Sequence, residues 1–122
     1  MERVERIARL NDMARQAMGI ACRAVATEGF RSLPMRDQSR VRELIETFDA
    51  WGEGNDPYGE RDFGAVYQDG RGRWTTTKPE RVRETVFWKI DAYDRALEFG
   101  SEDAADPSVT RRVLTIMLAS EY

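Results

Sequence analysis

The hydrophobic positions of this chain change period several times, and glycine-, proline- and aspartate-rich breaks mark the changes. Near the start, Val4, Ile7, Ala8, Ala14 and Met18 follow the i, i+3, i+4 spacing of one helix face, with Arg3, Arg6 and Arg9 off the stripe. Asn11 interrupts that stripe, and Leu10, Met13 and Ala17 form a second. The pattern predicts a helix of about four turns that buries two faces and stops at Gly19. The alanine-rich run 20–27 predicts a short strand whose β-branched support, Val25 and Thr27, comes late. Glu28-Gly29 signals a turn and Pro34 a helix start. Val41, Leu44, Ile45 and Phe48 then define an amphipathic helix ending near Trp51-Gly52.

The stretch 52–64 is rich in Gly, Asn, Asp and Pro and reads as a structured loop. Phe63 to Tyr67 predicts a strand, Asp69-Gly70-Arg71-Gly72 a turn, and Trp74 to Thr77 the return of a ribbon before Pro79. From Thr85 to Tyr93 the alternation is regular: Val86, Trp88, Ile90 and Ala92 on one side, Phe87, Lys89, Asp91 and Tyr93 on the other. After an acidic loop, Asp106-Pro107 resembles an N-cap with Pro at the first helical position, ahead of Val109, Val113, Ile116, Met117 and Ser120. That predicts a buried last helix, although Val113 to Leu118 could be misread as a core strand. The sum is one α+β domain over 1–122: a small antiparallel sheet with three helices packed on it.

Composition narrows the chemistry. One cysteine, Cys22, excludes an internal disulfide and a multi-thiolate metal site. The absence of histidine removes most zinc and non-haem iron sites and every scheme with an imidazole base. The longest apolar run is too short to span a membrane, and the charged start of the chain lacks a signal core, so a cytoplasmic protein is expected. A net charge of −3 argues neither for a nucleic-acid binder nor for an acidic mimic.

Three places could carry function. The loop acids Asp56, Glu60 and Asp62, brought near Asp91 and Asp94, could hold a hard cation through oxygen ligands or raise one carboxyl's pKa for acid–base work. The economical alternative is local capping and a Lys89 cross-strand ion pair. No calcium-loop or phosphate-loop spacing is present, and no cofactor is implied. Arg71, Arg73, Lys78, Arg81 and Arg83, with Trp74, form a basic strip that could touch phosphates, but Glu80 and Glu84 interleave. Trp51, Tyr58 and Trp74 fall outside obvious core positions and could anchor a protein interface.

Several segments are long and unusual: Asn55-Asp56-Pro57-Tyr58-Gly59-Glu60 with Asp62-Phe63-Gly64, Phe87-Trp88-Lys89-Ile90-Asp91 with Tyr93-Asp94, and Arg112 to Tyr122. With Leu10-Asn11-Asp12, Arg15, Gly100-Ser101 and Asp106-Pro107, they resemble a small bacterial domain family of unknown function found in chromosomes, plasmids and phages. The family pattern has a histidine where this chain has Arg61 and an aromatic residue where it has Ala92. The resemblance implies an accessory role in mobile elements and carries no activity. The expectation is a non-enzymatic binding module, one form of which would inhibit a host nucleic-acid-directed defence complex. A protein partner would meet Trp51, Asp56, Tyr58, Glu60, Arg61, Arg71, Arg73 and Trp74; nucleic acid is the weaker partner. The alternative is a small carboxylate-dependent, metal-binding hydrolase built on Asp62, Asp91 and Asp94.

Overall fold

In the computed structural model, which describes residues 1–122 throughout, helix α1 spans Arg3–Gln16. Its inward face is a single stripe: Ile7, Ala8, Asn11, Ala14 and Arg15 are buried, while Val4 and Met13 are 41% and 54% exposed. The two-faced reading therefore fails. Asn11 does not interrupt the buried stripe but belongs to it, because hydrogen-bond partners wait beneath it. Strand β1 (Arg23–Ala26), helix α2 (Glu28–Arg31) and helix α3 (Met35–Glu46) follow. Pro34 immediately precedes α3, as its fixed φ allows. The helix ends at Glu46, so Phe48 and Trp51 reach the core from the following loop.

The sheet contains β2 (Phe63–Asp69), β3 (Trp74–Thr75), β4 (Val82–Tyr93) and β5 (Arg111–Leu118), with β1 at one edge, in the order β1-β5-β4-β2-β3. It is mixed rather than antiparallel, because β1 runs parallel to β5. The larger correction is at the C-terminus, where the expected helix is β5, paired with β4 on one side and β1 on the other. Arg112, Leu114 and Ile116 alternate toward the helices, and the β-branched Val113, Thr115 and Ile116 favour the pleated surface. Asp106 caps a turn instead of a helix; its Oδ1 accepts from the Ser108 N–H at 2.9 Å and the Ser108 hydroxyl at 2.7 Å. In a continuous apolar run, helical spacing and strand alternation are both satisfied, and two-sided pairing decides between them.

On one face of the sheet, Val66, Val86, Trp88, Ile90, Leu114 and Ile116 share a core with Ala14 of α1, Phe30 of α2, and Val41 and Ile45 of α3. Trp88 is the largest fully buried side chain, packed edge-on against Phe48 and Trp51 with centroids at 5.3 and 5.8 Å. Its indole lies over Gly64, where a Cβ would come within 2.6 Å of Nε1 and 2.7 Å of Phe48 Cζ. Only glycine leaves room there. On the opposite face Phe63, Phe87 and Tyr122 form an edge-packed trio with centroids 5.2 to 6.0 Å apart. No helix is long and apolar enough to cross a membrane.

The chain end is tied back by Glu121. Its carboxylate accepts from the Thr27 hydroxyl at 2.6 Å, the Gly29 N–H at 3.0 Å and the Leu118 N–H at 2.9 Å. These bonds, with Thr27 first, hold the Glu121 carboxyl below its ordinary pKa. A depressed carboxylate pKa stabilises the fold fully above the ordinary value, and the contribution is lost as pH falls through the lower folded value. Glu121→Gln should therefore lower the melting temperature at neutral pH, with the gap to the parent closing in acid. Thermal melts across a pH series check this; a constant gap would refute it.

Inside α1, Arg15 is 2% exposed, and its Nη1 donates to the Ile45 and Glu46 carbonyls at 2.9 and 2.8 Å. Arg15→Met comes close to the volume but removes the donor to Glu46 and leaves the Ile45 carbonyl with the Phe48 N–H alone. It should cost about 3 kcal/mol, measured by urea denaturation with an unchanged m-value.

Candidate functional site

The densest functional geometry is a groove between the start of α3 and the β2–β3 hairpin. The hairpin turn is fixed by Asp69, whose Oδ1 accepts from the Arg71 and Arg73 N–H groups at 2.9 Å each. Those backbone bonds, Arg73's foremost, pull the Asp69 carboxyl below its ordinary pKa. Gly72 takes φ +84°, and its carbonyl accepts from Gln68 Nε2 at 3.2 Å. A rigid turn thus presents two arginines side by side.

Two more come from α3, where Arg36 and Arg40 stand one turn apart and both line the groove. The fifth is Arg83. Gln68 pairs with Glu84 and Asp69 with Val82, so the register skips Arg83 and leaves it as the extra residue of a β-bulge. Bulges re-aim side chains, and this one adds Arg83 to the groove wall. The cavity is about 560 Å³ and is lined by five arginines against one acid, Asp37. Asp37 is itself engaged, accepting from Trp74 Nε1 at 3.0 Å and tying α3 to β3. Of the five, only Arg40 has an ion-pair partner, Glu43 at 3.1 Å.

The residues expected to form one contact surface lie in two places. Arg71 and Arg73 belong to the groove, whereas the loop 55–62 packs beside α1 at the other end of β2, about 20 Å of strand away. In the loop, Asp56 Oδ1 accepts from the Arg61 N–H at 2.8 Å, and Arg61, at φ +54°, pairs with Asp12 at 3.3 Å. The Glu60 carbonyl accepts from Asn11 Nδ2 at 2.8 Å, and Tyr58 is 79% exposed. The two tryptophans read as surface anchors are packing residues. Trp51 is half-buried against Phe48, Trp88 and the Arg15 guanidinium, and Trp74 is 7% exposed. A strand-plus-loop pattern conceals such burial because α3 covers Trp74 from outside the local sequence.

The carboxylates are also dispersed. Asp91 pairs with Lys89 at 3.0 Å, and that hydrogen bond raises the lysine's pKa. Asp94 Oδ1 accepts from the Glu98 N–H at 3.0 Å, capping the next turn. Asp62 is half-buried, and burial first, then the nearby Asp56 and Asp91 charges, raise its pKa. No group of three or more Cys, Asp or Glu side chains is placed to hold a metal ion. The metal set Asp62, Asp91 and Asp94 therefore does not assemble as a chelating cluster.

Arg36 and Arg40 were missed in the sequence. The signal was available: two arginines in the first half of a helix oppose the macrodipole, which favours acids there. Arg83's place was not legible, because a bulge is a property of the register.

Fold and groove together define a small α+β domain with an arginine-lined surface concavity. The chain belongs to the family described as protein of unknown function (DUF3768), which matches residues 26–121. Comparison with curated proteins and with solved structures finds no match.

The Trp74–Asp37 bond is the strut of the groove. Trp74→Phe should retain the packing and lose about 1 to 2 kcal/mol, read from the denaturation midpoint. A midpoint unchanged from the parent would show that the bond contributes nothing net.

Proposed function

We propose that this domain is a non-enzymatic binding module that engages an acidic face of a partner protein through the arginine groove. The observation that supports this is five arginines lining one concavity with a single, already occupied carboxylate. Guanidinium forks match carboxylates and phosphates in two-point contact, and arginine is favoured at energetically dominant interface positions. Two features favour protein over nucleic acid. Trp74, the aromatic residue of the groove, is buried and offers no face for base stacking. The chain as a whole carries a net charge of −3, which opposes non-specific attraction to a polyanion.

An inhibitor of a host nucleic-acid-directed defence complex is the narrower form of this reading, and its support is the family resemblance. A basic groove would meet such a complex on an acidic face, not in its own basic nucleic-acid channel. The exposed Tyr58 and the Asp56–Arg61 loop would serve as a second contact rather than part of the first.

Affinity capture from bacterial lysate with the parent and with Arg71→Glu/Arg73→Glu, each with and without nuclease, tests the proposal. Both positions are on the surface of the hairpin, so the double variant should fold. The expected outcome is a stoichiometric protein that survives nuclease and is lost from the variant. Loss on nuclease would transfer the groove to nucleic acid; capture unchanged by the variant would remove the groove from the interface.

A further inference from the structure

A second cleft lies at the other end of β4 from the arginine groove, about 30 Å of strand away. It opens between the C-terminal half of α1, the turn 18–22 and the approach to β5, with a volume of about 570 Å³. That size is in the range of sites for small organic ligands. Its character differs from that of the groove. One wall is apolar, built from Leu10, Met13, Ala14 and Ile20, and Ile20 is 92% exposed beside a 54% exposed Met13. Cys22 extends this wall: its thiol donates to the Ala14 carbonyl at 3.4 Å, and burial raises its pKa, so it faces the cleft as a neutral group.

The rest of the lining is cationic. Arg23, Arg95 and Arg111 are exposed, and none makes an ion pair or side-chain hydrogen bond within the chain. No Asp or Glu lines the cleft. Arg112, at its floor, is already committed: Nε donates to Asn11 Oδ1 at 2.7 Å and Nη2 to the Ala104 carbonyl. The floor is thus a fixed, satisfied guanidinium, while three unpaired ones stand around it. Apolar surface left in water beside unneutralised cations fits a ligand with both characters.

We propose that this cleft binds a small amphipathic carboxylate, with an apolar chain laid along Leu10, Met13 and Ile20 and its anionic head held by Arg23, Arg95 and Arg111. The site is separate from the partner groove and does not depend on that reading. Neither the apolar chain alone nor the charge alone would suffice, because each wall meets only one half of the ligand.

Octanoate is the probe, titrated into the full ¹⁵N-labelled chain, with octan-1-ol and octylammonium as partners that lack the charge or reverse it. Octanoate at millimolar concentration should shift amides of residues 10–23 and 107–112, and the other two should bind about tenfold more weakly or not at all. Arg23→Glu/Arg111→Glu and, separately, Ile20→Asp should each weaken octanoate about tenfold, while Arg71→Glu/Arg73→Glu should leave it unchanged. Absence of shifts in those segments would overturn the proposal. So would equal binding of octan-1-ol, or loss of octanoate binding in the groove variant. The ligand comparison uses the parent chain alone, so it decides even if a cleft variant misfolds.

Discussion

The buried guanidinium of Arg15 is the interaction on which the layering of this domain depends. A helix leaves its last carbonyls without intrahelical donors, and at the end of α3 those carbonyls face the core rather than water. Arg15 supplies the donors from α1, reaching Ile45 and Glu46, while its Nη2 bonds Asp12 at 3.2 Å. The positive charge also sits at the negative end of the α3 dipole. Beside it lie the rings of Trp51 and Trp88, with centroids 5.5 and 6.0 Å from the guanidinium carbon and 5.8 Å from each other. One side chain therefore joins two helices to the central tryptophan of the sheet. A buried cation is tolerated here because two carbonyls, a carboxylate and two aromatic faces replace most of the hydration that it gives up.

Asn11 repeats the device one turn earlier. Its Nδ2 holds the Glu60 carbonyl and its Oδ1 accepts from Arg112, so one amide links α1 to the loop and to β5. Asp12, between them, pairs with both Arg15 and Arg61. Asn11, Asp12 and Arg15 of α1 are thus connectors, and the same holds for Asn55, which bonds the Gly52 N–H at 2.9 Å and the Ala50 carbonyl at 3.2 Å. A loop of about sixteen residues is thereby held against the sheet without regular structure of its own, by Asn11 and Asn55 with Asp56, while Asp91 and Asp94 serve local contacts elsewhere.

Much of the fold was legible because local chemistry and tertiary demand agree. The alternation from Thr85 to Tyr93 is the middle of the sheet, and Val41 with Ile45 is the buried stripe of α3. Legibility failed wherever a distant element sets the outcome. The helix period at Val113, Ile116 and Met117 lost to pairing on both edges of β5. Asn11 read as a break in an apolar stripe and Arg15 lay outside both stripes, yet they are buried because carbonyls from residues 45, 46 and 60 face them. The candidate site divides the same way. Arg71 and Arg73 were read from their turn, but their association with Arg36, Arg40 and Arg83 needed the α3–hairpin contact and the bulge.

The net charge of −3 weighs on non-specific attraction but says little of the field inside either concavity. At physiological ionic strength a charge is screened over about 8 Å, so the acids of the loop at 53–62 do little to neutralise the groove arginines at the far end of β2. Each concavity acts through its own local field. In the groove that field comes from five arginines beside one hydrophobic residue, the buried Trp74, which suits an extended, many-charged face. In the cleft three free arginines border exposed Ile20 and Met13, so attraction and desolvation act on one small ligand together. The same residue type thus serves two different recognitions, and the difference between them lies in the side chains that surround the arginines.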